Sequence, residues 1–294
     1  MIGFSGVIAV LSVLPLWAPH PGPRVPRPRP VSAEPIAHPP SVLHSNLLVS
    51  WYGNPWTGRM GILGRLQGTA LAEGLARQAS EYAKVTNKTV MPAYELIAVV
   101  AQAQPGADGL YRRRETRDVI ERTIRDARAA GFKIILDVQT GRSTVLAELS
   151  YLAPYLAMPD VYLALDPEFS MGSDGVPGRR IGTMRGDEVN DAIGVLEQLI
   201  ERYGLPPKVL IVHQFTTGML PDKEAIWTSP VLDIVLDMDG FGSPGLKVNT
   251  YRTVLRQRQL EFTGFKLFYL QDTNLLEPAQ VLALTPPPAV VIYQ

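Results

Sequence analysis

A single (β/α)8 barrel of the TIM type, an α/β fold, is what this chain predicts, and three observations predict it. Eight short apolar runs rich in β-branched residues recur along the sequence, amphipathic helical patterns separate them, and seven of the runs end in acidic, amide or imidazole side chains. Continuous apolar runs mark strands buried on both faces, as in a parallel sheet covered by helices. Functional groups confined to the C-terminal ends of such strands mark the active face of a barrel.

In order, the predicted strands are LLVSWYG (47–53), VMPAYELI (90–97), KIILDVQTG (133–141), VYLALDPEF (161–169), KVLIVHQF (208–215), DIVLDMDGFG (233–242), FKLFYLQD (265–272) and AVVIYQ (289–294). Helical patterns occupy 69–85, 115–130, 143–157, 186–203, 245–258 and a short 277–284. In the second of these, Val119, Ile120, Ile124 and Ala127 recur at helical spacing with Arg and Glu between them, the pattern of a helix lying on a sheet. Gly131 and Gly204 stand where helices should stop before the next strand. Segment 222–230 leaves room for a short helix only, and the last strand falls at the C-terminus, so the barrel is expected to close with it.

The chain has 294 residues; without about 40 at the N-terminus it matches the roughly 250 of one barrel. The expected division is therefore a signal peptide or membrane anchor at 1–18, a disordered Pro/Arg-rich linker at 19–41 and the barrel at 42–294. Residues 2–18 form an uncharged apolar stretch of 17, between the length of a signal-peptide core and that of a spanning helix. The following segment carries Pro at nearly every second or third position, which favours an extended polyproline spacer. A secreted or envelope-associated location, with tethering through the N-terminus, is the expectation.

The 28 basic and 28 acidic side chains balance, and no basic face stands out, so nucleic acid is not expected as a partner. Cysteine is absent, which excludes disulfides, thiolate metal sites and a cysteine nucleophile. No P-loop, dinucleotide fingerprint or GxSxG elbow is present. His213 is the one histidine well inside the barrel, too few for a histidine-rich metal cluster. No metal and no cofactor is expected, although Asp137, Asp166, Glu168, Asp237 and Asp239 together could hold Mg or Ca through oxygens.

The chemistry concentrates at LALDPEFSMG (163–172). Asp166 and Glu168, two apart, are expected on one face of a strand end, where one carboxylate raises the other's pKa and keeps its proton for general acid catalysis. The plainer reading is a helix cap or a loop salt bridge to Arg179 or Arg180. Asp237 and Asp239 repeat the spacing on the sixth strand, and Asp137 ends the third. Binding groups are expected from Trp51, Tyr52, Glu95, Gln139, His213, Gln214, Tyr269, Gln271, Asp272 and Tyr293, with Trp56, Phe169 and Phe241 as further aromatic surfaces. Glycine-rich 58–64 is read as a loop over the rim.

Asp166-Pro167-Glu168 resembles the end of the Asp-x-Asp-x-Glu motif of the chitinase family, glycoside hydrolase family 18. That resemblance implies that Glu168 protonates a glycosidic oxygen and Asp166 orients it. The motif's preceding acidic position is Ala164 here, and LDMDGFG stands where that family has Met-x-Tyr-Asp. The wider series WYGNP, DVQTGRS, LALDPEF, VHQF and DMDGFG resembles a family of exported bacterial barrel proteins across the whole domain, which implies barrel and export but no particular reaction.

The leading expectation is a glycoside hydrolase acting on a glycan or other small polar substrate, with Glu168 as acid and Asp237, Asp239 or Asp137 as nucleophile or base. Carboxyl separations of about 5 Å or about 6.5–9.5 Å would distinguish retention from inversion. One alternative is a metal-dependent phosphoesterase or lyase, whose mark is carboxyl oxygens converging on one point. Another is a non-catalytic glycan-binding surface protein, whose mark is carboxylates paired with Arg142, Arg179 or Arg180.

Overall fold

Parallel pairing of eight strands closes a barrel in the structure, a computed structural model that describes residues 41–256 and 260–294. The predicted segment 1–18 and all but Ser41 of the predicted linker 19–41 lie outside the described residues. Among the described residues no helix is long and apolar enough to cross a membrane.

After one helical turn, α1 (Val42–Ser45), the barrel strands are β1 (Asn46–Gly53), β2 (Thr89–Ala101), β4 (Lys133–Val138), β5 (Val161–Leu165), β6 (Lys208–Gln214), β7 (Leu232–Met238), β8 (Phe262–Leu267) and β9 (Val290–Tyr293). β3 (Arg112–Arg114) is a short antiparallel addition to β2. Around the barrel lie α2 (Gly68–Ala83), α3 (Arg117–Ala129), α4 (Val145–Leu156), α5 (Gly186–Tyr203), α6 (Pro244–Arg256) and α7 (Pro278–Leu282). β1 pairs with both β2 and β9, which closes the cylinder without an open edge.

Period-two alternation divides the core into two layers. Leu47, Val49 and Trp51 of β1 face outward with Leu75 and Tyr82 of α2, in the apolar shell between barrel and helices. Leu48 and Tyr52 face inward with Ile97, Ile135, Ala164, Ile211, Val235 and Ile292. The outward residues anchor the strands, and the inward ones set what the lumen holds.

Three boundaries differ from the sequence reading. β2 runs on to Ala101, because its apolar run continues and β3 pairs with its end. β5 stops at Leu165, because Pro167 has no N–H to continue the ladder; a 3-10 turn follows at Pro167–Phe169, with Asp166 in the preceding cap position. Asp166 and Glu168 are therefore not strand neighbours. Segment 222–230 supplies only a 3-10 turn, Lys223–Ala225.

Candidate active site

Inward positions near the C-terminal ends of the strands carry the polar groups. Ser50, Glu95, Asp137, Asp166, His213, Asp237, Asp239 and Lys266 are all buried. Burial without partners costs several kcal/mol per charge, so such a set persists only as an interlocked network. Its centre is His213. Nδ1 lies 2.9 Å from Asp237 Oδ2 and 3.7 Å from Asp239 Oδ2, while Nε2 lies 3.2 Å from Glu95 Oε1 and 3.5 Å from Asp137 Oδ2. Burial alone would lower the imidazole pKa; Asp166 and the contacts to Asp137 and Asp237 reverse this and raise it well above the ordinary value.

Above this base sits a second tier. The Tyr52 hydroxyl donates to Asp166 Oδ2 at 3.2 Å, and Gln139 Nε2 donates to the same oxygen at 3.0 Å and to Tyr52 at 3.1 Å. Burial, with Asp137 and Asp166 nearby, keeps the Tyr52 phenol protonated by raising its pKa well above normal. Lys266 donates to Asp239 Oδ2 at 3.1 Å and lies 3.7 Å from the centre of the Tyr52 ring. Burial would lower the Lys266 pKa, but Asp239, Asp166 and Glu95 outweigh it, so the ammonium stays charged.

A cleft of about 560 Å³ opens over this tier, floored by Tyr52, Gln139, Asp239 and Lys266, with Glu168 in its wall. Phe169, Phe215, Phe241 and Phe268 supply aromatic surface, and Arg59 and Met60 reach in from the glycine-rich rim loop. Burial, then Asp166 and Asp239, push Glu168 up to about 9, so it holds its proton at neutral pH. Burial also raises Asp239, but Lys266 and His213 oppose it and hold it at about 6. Two carboxyls at one cleft thus stand in opposite protonation states at pH 7, the division that separates an acid from a nucleophile or base.

Of the predicted residues, Tyr52, Gln139, Glu168, Asp239 and Gln271 line the cleft. Asp166 lies beneath it, bound to Tyr52 and Gln139, and Glu95, Asp137, His213 and Asp237 form the base. The other placements are corrected by strand alternation and loop geometry. Trp51 faces α2, where its ring abuts Gly74. Tyr293 also faces α2, 2.8 Å from the Tyr82 hydroxyl, and Tyr269 stacks on it and donates to Gln78. Gln214, next to inward His213, is buried and accepts from Lys223. Asp272 accepts from the Lys247 ammonium and the Gly242 and Phe268 amides, a brace for the rim. Trp56 lines a separate cavity against α3.

Two sets of three place donor atoms within 4.8 Å of one another: Glu95, Asp137 and His213, and Asp166, His213 and Asp239. In the second, Lys266 already supplies positive charge to Asp239. Neither matches the ring of five acids considered from sequence, and Glu168 belongs to neither. Arg142 donates to the Asp174 and Gly175 carbonyls and Arg180 to Asp174 and the Met171 carbonyl, so the arginine pairing that would mark a purely binding site is not seen at Asp166 or Glu168 among the described residues.

No family model and no curated protein matches the chain. Among solved structures it is similar to the Legionella pneumophila ChiA C-terminal domain, at 11% identity and a TM-score of 0.30, covering 74% of this chain and 57% of that one. It is also similar to a GH18 chitinase from Pseudoalteromonas aurantia, at 13% identity and a TM-score of 0.37, covering 83% of this chain and 92% of that one. Likenesses of this strength assign neither an activity nor a residue to this chain.

Proposed function

We propose that the cleft hydrolyses a glycan by carboxylate acid/base chemistry. The observation that carries this reading is the split between Glu168, held up at about 9, and Asp239, held at about 6, on one aromatic-lined cleft. Glu168 gives its proton to the departing glycosidic oxygen, and ionised Asp239 serves the other face of the sugar as nucleophile or base. Asp166 raises Glu168 by its charge and is itself fixed by Tyr52 and Gln139. The four phenylalanines offer apolar surface to the C–H faces of the ring, while Gln139 and Gln271 offer hydrogen bonds.

The apolar segment 2–18 and the proline-rich segment after it support the reading that the chain is exported and that its glycan lies outside the cytoplasm. Cell fractionation tests that part: recovery only in the cytosol contradicts it. The hydrolase reading is tested by incubating the full chain with a panel of cell-wall glycans and polysaccharides beside Glu168→Gln. Turnover by the wild type and a loss of at least about 100-fold in the variant is the expected result. Glycan binding without turnover would instead make this a binding protein.

A further inference from the structure

Below the cleft, three donor atoms converge that the proposed hydrolysis does not use. His213 Nε2 is 3.2 Å from Glu95 Oε1 and 3.5 Å from Asp137 Oδ2, and all three residues are fully buried. Donors held about 2.1 Å from one metal ion, in tetrahedral or octahedral arrangement, stand about 3.0–3.4 Å apart. The two measured edges fall close to that spacing.

The surroundings orient two of these donors. Ser50 donates to Glu95 Oε2 at 2.8 Å, which leaves Oε1 turned toward the imidazole. Asp237 takes the Nδ1 side of His213 at 2.9 Å, which leaves the Nε2 lone pair pointing at the two carboxylates when the ring is neutral. Carboxylate-to-histidine support of this kind fixes the tautomer of metal-ligating imidazoles. Asp137 is the independent observation: both of its oxygens are buried, and neither has a hydrogen bond of good geometry, the contact of Oδ2 to His213 Nε2 being long at 3.5 Å. A single proton on Nε2, 3.2 Å from Glu95 and 3.5 Å from Asp137, is shared at long range by two carboxylates, whereas a cation at the common point serves both at bonding distance.

Charge points the same way. Glu95, Asp137, Asp166, Asp237 and Asp239 are enclosed together, and with the imidazole neutral Lys266, paired with Asp239, is the cationic side chain facing them. We propose that Glu95, Asp137 and His213 bind one divalent first-row metal ion, of the zinc or manganese class, as a structural ion inside the barrel. One imidazole nitrogen and two carboxylate oxygens suit that class better than the all-oxygen shell of calcium. None of the three ligands lines the cleft, whereas Tyr52 and Gln139 do, with the Tyr52 ring edge-on to His213 at 6.3 Å, so the ion is set back from substrate.

The test is metal content and binding rather than turnover, so it stands or falls apart from the hydrolase reading. The full chain, produced with Zn²⁺ or Mn²⁺ supplied and passed through metal-free gel filtration, should retain about one equivalent by elemental analysis. Asp137→Asn and Glu95→Gln should each weaken titrated Zn²⁺ or Mn²⁺ by at least about 10-fold. Should either variant fail to fold, X-ray absorption on the metal-loaded wild type decides, with a single imidazole in the coordination shell expected. Less than about a tenth of an equivalent under both metals, or a bound ion without imidazole, overturns the proposal and leaves His213 as a protonated hub.

Discussion

At Lys266 the chain places an ammonium between a tyrosine face and the carboxylate assigned as nucleophile or base. An opposite charge this close lowers a carboxyl pKa by roughly 1–3 units. Lys266→Met should therefore move the acidic limb of the pH–rate profile upward from about 6 by at least one such unit, and should raise the alkaline limb too, because the same ammonium lowers Glu168. Glu168 carries a stability consequence as well. Its folded pKa of about 9 lies above the value of an unfolded glutamate, so the folded state binds the extra proton and stability falls as pH rises between those values. Glu168→Gln removes that dependence. Thermal melts of the two proteins should converge at acid pH and separate in favour of the variant as pH rises toward 9. Asp166, Glu168 and Asp239 were legible in the sequence as acids at strand ends. The pairing of Lys266 with Asp239 was not legible, because Lys266 sits inside the apolar run FTGFKLF; the signal for its inward direction was its alternation with Phe262 and Gly264. Phe215 and Phe268 were missed because a lone phenylalanine beyond a strand reads as packing.

Each element owes its placement to periodicity, and the glycines show how closely elements meet. A Cβ on Gly264 of β8 would press against the Asp237 carboxylate on β7. Gly264→Ala should cost about 1–3 kcal/mol in urea unfolding, since neither neighbour can yield without breaking the Asp237 contact to His213. Gly194, in the body of α5, has open space where its Cβ would go. Gly194→Ala should stabilise by about 0.4–1 kcal/mol in the same assay. All eight barrel strands were readable as apolar runs, because burial on both faces leaves only isolated polar residues such as Ser50, Glu95 and Lys266 within them. Their ends were less readable: β2 is lengthened by a distant partner, β3, and β5 is cut short at Pro167. Whether Trp51 or Tyr52 faces the lumen depends on barrel register, which composition does not disclose. That is why Trp51, Gln214 and Tyr293 were placed in the site although they face the helices.

For the molecule as a whole, closure depends on the last strand. β9 pairs Leu48 through Trp51 of β1 on one side and Gly264 through Leu267 of β8 on the other. Deleting residues 290–294 exposes both edges and opens the buried acid network to water. The truncated chain should lose cooperative unfolding and soluble expression; a truncation that melts like the intact chain would contradict this. The barrel thus serves the chemistry by enclosing several carboxylates in one network, in which Lys266 opposes the effect of burial on Asp239. The most direct test of that account is the pH dependence of glycan hydrolysis by the full chain beside Glu168→Gln. The account predicts a bell with limbs near 6 and 9, and a variant reduced by at least about 100-fold that still binds glycan. Turnover in Glu168→Gln comparable to wild type, with the alkaline limb unchanged, would contradict it.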